Sequence, residues 1–508
     1  MSYNSILKES KVVKNHEGAK AWTMSPELEL YTAVVTASLS NTFYEKQDER
    51  VDRIAALVEK VDHEFVAKLA VYTRNVMNLR SIPLLLVVEL ARVHSGDDLV
   101  SRTVEKVVRR ADEIMELLMC YQWRNPSGQV KKLARLSSQI KKGLQRVFNN
   151  FDEYQFAKYN RNNMEVKLRD ALFLIHPKAK DAAQQVIFDK IASDSLQVPY
   201  TWEVELSALG QEAYGSKADK DAAFAAKWEE LIASNKVGYM ALMRNLRNML
   251  ELNVDHGSIA RVSNRLSNPA QVLKSKQLPF RYLSAYREIQ QVTSMSTSLV
   301  MQALENAVKV AARNIEGFGP STRVLIASDV SGSMYSAISA KSSVRLYDVG
   351  LLLSMLMRYS CKQVISGIFG DTWMPVNLPG RDILATTMQL HELEGRVGYS
   401  TNGYKVIDWL ISNKMVVDKV MMFTDMQLWN SDSYYGDRHI ADRWKAYKKI
   451  APEAKLYIFD LAGYGQAPLK LENGDVYLIA GWSDRIFDVL AALDRGYSAI
   501  DVINSTEL

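Results

Sequence analysis

The feature that most constrains this chain is a change of hydrophobic period at about Gly319. From Pro26 to about Ile315 apolar residues recur at helical spacing, as in ELELYTAVVTASLS, VDRIAALVEKV, HEFVAKLAVYTRNVM, IPLLLVVELARV, AFAAKWEELIASN and YMALMRNLRNMLEL. Short breaks such as SPE, HSGDD, NPSG, HPKAK and SNPA carry the Gly, Pro, Asn and Asp that end helices. Many helices of this length joined by short turns predict stacked pairs, a degenerate HEAT-like α-solenoid, with a compact helical bundle as the competing reading. Beyond Gly319 short apolar runs take over: RVLIASDV, QVISGIFG, KVMMFTDM, KLYIFDLAG and VYLIAG. They lack polar alternation, as expected of strands covered on both faces. Helical stretches separate them, which predicts an α/β doubly wound domain with its chemistry at the C-terminal ends of the strands. The expected division is residues 1–319 for the helical array and 320–508 for the α/β domain.

In that second domain Asp329, Ser331 and Ser333 follow the first strand, Thr401 precedes a later helix, and Asp425 ends the strand KVMMFTD. These five residues offer only oxygen, two carboxylates and three hydroxyls, a set suited to a hard divalent cation such as Mg²⁺, with Mn²⁺ also accommodated. Such a set leaves a coordination position open to an acidic group of a partner. D-x-S-x-S, then Thr, then Asp resembles the metal-ion-dependent adhesion site of von Willebrand factor A domains. By that resemblance Ser331, Ser333 and Thr401 are direct ligands, and Asp329 and Asp425 bind directly or through water. The chain departs from the pattern at Tyr399-Ser400, where the family has glycines.

Charge is unevenly spread. Of a net +5, residues 121–190 hold 14 basic against 6 acidic residues, and residues 261–290 hold 6 against 1. Two readings stay open for such clusters, solvated helix faces and the footprint of a polyanion binder. Lys131, Lys132, Arg135, Lys141, Lys142 and Arg146 recur at spacings that let most share one helix face. Lys167, Arg169, His176 and Lys178 follow, with His176 placed either to cap a helix or to meet a phosphate or base. Arg244 and Arg247 sit in a Leu- and Met-rich helix, either lining the inner face of the array or making structural hydrogen bonds between repeats. Lys274, Lys276 and Arg281 are interrupted by Leu and Pro rather than forming a solvated stripe. Tyr154, Phe156 and Tyr159 are candidate stacking residues or core.

Three ordered stretches carry a second resemblance. Met240 to Met249 looks like the "ALLRNLGNM" helix of the Ro autoantigen family, the TROVE-module RNA-binding proteins. Lys167 to Lys178 is similar to that family's "KDLLRLSHLKP" segment, and Leu278-Pro279-Phe280-Arg281-Tyr282 resembles its "HPFH" start, with Leu278 in place of histidine. Their order, followed by the metal-site domain, matches the family, in its bacterial form, over nearly the whole chain. The resemblance implies a ring of helical repeats closed by the von Willebrand A domain. It implies Y-like small noncoding RNA on a basic outer surface, single-stranded ends of misfolded RNAs in a central hole, and an exoribonuclease as a further partner in RNA quality control, processing or decay. It implies no catalysis, and the sequence shows no paired catalytic carboxylates, H-E-x-x-H or phosphate-binding glycine loop. The competing class is a metal-dependent protein scaffold or chelatase-type accessory subunit. Two cysteines, no roughly 20-residue apolar span and no secretory signal lead to the expectation of a cytoplasmic monomer without membrane contact.

Overall fold

The computed structural model describes residues 10–37, 45–126, 135–160, 165–313, 315, 318–339, 342–378, 380–429, 439–471 and 474–508. Two compact units emerge, Met1–Arg53 with Ala213–Val502, and Ile54–Glu212 with Ile503–Leu508. No helix among the described residues is long and apolar enough to cross a membrane.

Among the described residues, every strand lies in the first unit. An N-terminal hairpin, β1 (Val12–Lys14) and β2 (Lys20–Thr23), precedes the α/β strands β3 (Arg323–Asp329), β4 (Gln363–Phe369), β5 (Trp373–Pro375), β6 (Lys419–Thr424), β7 (Lys455–Asp460), β8 (Gln466–Ala467) and β9 (Val476–Ala480). The main sheet runs β5-β4-β3-β6-β7-β9, parallel except for the antiparallel edge strand β5. The five apolar runs of the sequence are its five parallel strands. Apart from the first residue of β3, β6 and β7 and the first three of β4, their residues are buried beneath the flanking helices. β5 is three residues with one proline, too short to show a period.

The hairpin was not legible as β structure. It joins the α/β half through β2, which pairs with β8 at Trp22↔Ala467 and Thr23↔Gln466. Pro26–Val35 begins on a Ser25 cap, whose hydroxyl accepts from the Leu28 N–H, with Pro26 in the first turn. It packs on β9, where the Tyr31 hydroxyl donates to the Ala480 carbonyl. Helices Pro279–Gln290 and Thr297–Ala312 pack on Leu346–Ser360 of the α/β part. Arg287 there donates to both oxygens of Asp348, which is buried and also meets His391 Nδ1 at 3.0 Å. Burial raises the Asp348 pKa, but the Arg287 and His391 hydrogen bonds outweigh it and hold the carboxyl below its usual range.

The second unit is helical. Successive helices His63–Asn75, Ser81–Val93, Leu99–Val107, Asp112–Arg124, Ser138–Val147 and Leu168–Ile175 pack through the apolar faces that the sequence spacing predicted. Ser138–Val147 buries Ile140, Gly143, Leu144 and Val147. A Cβ at Gly143 would stand 2.6 Å from Val104 Cβ and 2.8 Å from the Ser101 carbonyl oxygen, so glycine lets the two helices touch. That close packing turns Lys142 and Arg146 outward.

Candidate functional site

Three loops at the C-terminal end of the parallel sheet bring the five oxygen-bearing residues together. Asp329 closes β3, and its Oδ1 accepts from the Ser331 N–H at 2.9 Å while its Oδ2 accepts from the Thr424 hydroxyl at 2.6 Å. The Ser331 and Ser333 hydroxyl oxygens lie 3.4 Å apart. Asp425 follows β6, and its Oδ1 accepts from the Gln427 N–H at 3.0 Å. Thr401 donates its hydroxyl to the Gln427 carbonyl at 2.8 Å, which ties the second loop to the third. All five side chains are buried.

The second loop holds its shape without the expected glycines. Gly398 adopts φ +75°, and a Cβ there would run into Asp371 at 2.2 Å. Tyr399 then gives its carbonyl to the Gly332 N–H at 2.8 Å, and the Ser400 N–H donates to Asp371 Oδ1 at 2.7 Å. The left-handed residue stands one position earlier, and Tyr399-Ser400 follow it as paired backbone.

Electrostatically the centre is short of positive charge. Burial, then the charge of Asp425, pushes the Asp329 pKa up. Burial also pushes up Asp425, and its Oδ2 is sealed from solvent without a hydrogen bond. Two buried carboxylates that repel each other, one with an unanswered oxygen, beside three hydroxyls, fit a hard cation, which would relieve both. Among the described residues no three His, Cys, Asp or Glu side chains form a metal cluster. A cation here would depend on the hydroxyls.

In the second unit the basic residues gather because Ser138–Val147 is bonded to the end of Leu168–Ile175. Gln145 Nε2 donates to the carbonyls of Ile175 (3.0 Å) and His176 (3.3 Å), and Asn149 Nδ2 donates to that of Lys178 (3.0 Å). His176 terminates its helix in the left-handed conformation, φ 50°, with its side chain exposed. It caps the helix through its backbone and leaves the imidazole outside. Lys142, His176 and Lys178 thus share an exposed neighbourhood with half-buried Lys141. Arg146 is exposed but paired with Glu105. Lys167 and Arg169 are exposed, Arg169 lying over the Phe173 ring, and Arg135 is exposed where its carbonyl accepts from the Tyr121 hydroxyl. Lys131 and Lys132 lie outside the described residues. Of the aromatics, Phe156 is core, stacked on Phe148, so it offers no face to a base. Tyr159 carries Arg110 over its ring, and Tyr154 is exposed.

In the first unit the helix expected around Arg244 and Arg247 breaks at Asn245 into Tyr239–Arg244 and Leu246–Glu251. Arg247 is spent on Glu251 at 2.8 Å and Glu288 at 3.0 Å. Arg244 faces Arg281 closely enough that, after burial, its charge lowers the Arg281 pKa. Among the described residues neither has a carboxylate partner. Lys274 and Lys276 are exposed at the end of Pro269–Ser275, a helix that packs on Tyr239–Arg244.

The TROVE domain family matches residues 19–198 and 193–317, and the Ro60 vWA domain matches residues 323–493. The chain belongs to the Ro family of TROVE-domain proteins. It is similar to telomerase protein component 1 of Rattus norvegicus, 23% identical over 325 residues, which is 49% of this chain and 12% of that protein. The same protein of Mus musculus is 23% identical over 322 residues, 48% of this chain and 12% of that protein. The chain thus matches only about an eighth of the length of these curated relatives. Its fold is similar to the crystal structure of the Deinococcus radiodurans RO (RSR) protein, TM-score 0.58 at 20% identity, covering 93% of this chain and 100% of that one.

As a Ro-family chain it carries a helical N-terminal region followed by a von Willebrand A domain. Two participants in the Ro-like site were missed from sequence. Thr424 holds Asp329 and stands directly before Asp425, so the strand itself carried the signal. Gln427 joins two loops through its backbone, and no spacing rule marks such a residue.

Proposed function

We propose that this protein binds small structured, Y-like RNAs through the basic face formed by Lys141, Lys142, His176 and Lys178, and that it does so without catalysing a reaction. The observation that carries this reading is the convergence of cations that, among the described residues, no carboxylate answers, held in place by the Gln145 and Asn149 bonds. Exposed lysines in such a cluster neutralise phosphates and release counterions. Arg244 and Arg281, two mutually repelling guanidiniums, support a second anion contact, which we assign to single-stranded ends of misfolded RNAs. Lys274 and Lys276 extend that charge. These contacts suit a cytoplasmic role in RNA quality control, with an exoribonuclease as the decay partner.

The metal centre belongs to the same reading. Ser331, Ser333 and Thr401 would hold Mg²⁺ by their hydroxyls, with Asp329 and Asp425 supplying charge. The cation would offer an open position to an acidic partner group. The unanswered Asp425 Oδ2 supports that assignment.

Filter binding of a structured small RNA to the full chain at 50 and 200 mM salt tests the RNA reading. Affinity below micromolar that falls by a factor of roughly 10³ or more is expected if six or more phosphates are contacted. Absent or salt-insensitive binding would overturn it.

A further inference from the structure

Two helices of the second unit meet at a pair of histidines. Asp62 caps His63–Asn75 by accepting the Phe65 N–H, which puts His63 in the first turn. Ser81–Val93 packs against that helix and ends on His94, whose N–H donates to the Leu90 carbonyl. The start of one helix thus lies beside the end of the other. His63 Nδ1 stands 3.0 Å from His94 Nδ1, with the ring planes 89° apart.

The far side of the His94 ring is held. Its Nε2 lies 2.8 Å from Asp97 Oδ1, and the same oxygen accepts the Leu99 N–H at 2.9 Å. An ionised carboxylate only accepts, so His94 Nε2 carries the proton and the neutral ring turns a bare nitrogen towards His63. His63 then supplies the one proton that the contact between the two Nδ1 atoms needs. A carboxylate behind a histidine whose other nitrogen is bare is the arrangement that orients an imidazole on a metal ion.

Both rings are half-buried on the wall of an open cavity of about 740 Å³. Asp62, Glu64, Asp97 and Glu507 line it against Lys68 and Arg102, so its field favours a cation. Two nitrogens bound to a tetrahedral Zn²⁺ at about 2.0–2.1 Å stand about 3.3 Å apart. A small opening and tilt of the rings would bring both lone pairs onto one ion. The protein offers two facing donors rather than three, in keeping with the lack of a three-residue cluster among the described residues. The cavity admits water to the remaining positions.

We propose that His63 and His94 hold Zn²⁺ through their Nδ1 atoms, with Asp97 orienting His94 and water completing the coordination. The ion takes the place of the proton shared by the two rings, which passes to solvent. This site is independent of the oxygen-only centre and takes a different class of ion, since imidazole suits Zn²⁺ and oxygen ligands suit Mg²⁺.

The test is calorimetric titration of Zn²⁺ into the full chain in excess Mg²⁺, which keeps oxygen ligands occupied. A single Zn²⁺ should bind. His63→Ala and His94→Ala should each weaken it roughly ten-fold or more, Asp97→Asn by a similar factor, and the doubly substituted chain should bind none. Binding that the doubly substituted chain keeps, or a wild type that binds no Zn²⁺, overturns the site and leaves a proton-sharing pair. Asp97→Asn binding as wild type overturns the orienting role. Should an alanine variant melt lower without metal, NMR of ring-labelled histidine decides. Of the seven histidines, Zn²⁺ should shift the rings of two, and those signals should be the ones missing from His63→Gln and His94→Gln. Shifts confined to other histidines overturn the proposal.

Discussion

The two candidate sites of this chain are built on opposite principles. At the sheet end five oxygen-bearing side chains are buried, and hydrogen bonds from Thr424, Gln427 and neighbouring amides hold them before any ligand arrives. On the Lys142–Lys178 face the cations are exposed, and only the backbone beneath them is fixed, by Gln145 and Asn149. A hard cation requires oxygens at set positions, and long side chains in water cannot supply them. A phosphate chain requires charge within reach, and lysines supply that without prior order. Preorganisation thus follows the ligand: rigid for the ion, loose for the polyanion.

The largest expected effect tests how far burial of charge can be pushed in the first unit. Arg287→Ala strands Asp348, a fully buried carboxylate, and should cost about 3–5 kcal/mol in urea unfolding. A loss under 1 kcal/mol would show that the pair is as dispensable as a surface one. Because the Asp348 pKa is depressed in the folded state, the stability it contributes is present above the unfolded value of about 3.9 and is lost as pH falls through the lower folded value. The gap in melting temperature between wild type and Asp348→Asn should be flat from pH 7 to 5 and close only below about pH 4. A gap that closes already at pH 6 would overturn this assignment to the Asp348 carboxyl.

Next in size is the metal response. At a cation concentration 100-fold above Kd the wild type should gain about 2.7 kcal/mol, read as a shift in thermal melt. Ser331→Ala with Ser333→Ala should remove that shift. Asp425→Asn should remove it too, yet raise the melting temperature without metal, because it deletes a buried charge and keeps the bond to Gln427. An equal Mg²⁺ shift in the double alanine variant would move the ligands elsewhere.

Legibility in the sequence follows the same contrast. The five parallel strands were readable because each is a short apolar run, and Asp329 and Asp425 drew notice because they stand at the ends of two of them. The β1–β2 hairpin was not, since three- and four-residue strands show no period and its partner β8 lies more than 440 residues away. The basic residues were readable as charge but not as contacts. Nothing in the spacing tells Lys142, which no carboxylate answers among the described residues, from Arg146, which Glu105 neutralises. Nor could spacing predict that the Met240–Met249 stretch breaks at Asn245, because the break is one residue out of helical geometry (φ −103°, ψ 8°) that leaves the apolar period intact.

The smaller predictions use that distinction within the basic set. Lys142→Ala with Lys178→Ala should weaken RNA binding several-fold and lower the slope of log affinity against log salt by roughly 1.5, two phosphate contacts' worth, with the melt unchanged. An unchanged slope would remove both residues from the interface.

The last prediction separates answered from unanswered arginines. Arg247 already satisfies two carboxylates, and a phosphate would have to displace them for little net gain. Arg244 sits near Arg281 with neither charge compensated among the described residues, so a phosphate between them gains attraction from both. Arg244→Ala should therefore weaken binding of a single-stranded oligonucleotide roughly three-fold or more, and Arg247→Ala by less than about 1.5-fold, in competition filter binding. Equal losses would mean that ion pairing in the free protein does not protect a side chain from recruitment. The contrast between answered and unanswered charge would then fail where the structure draws it most sharply.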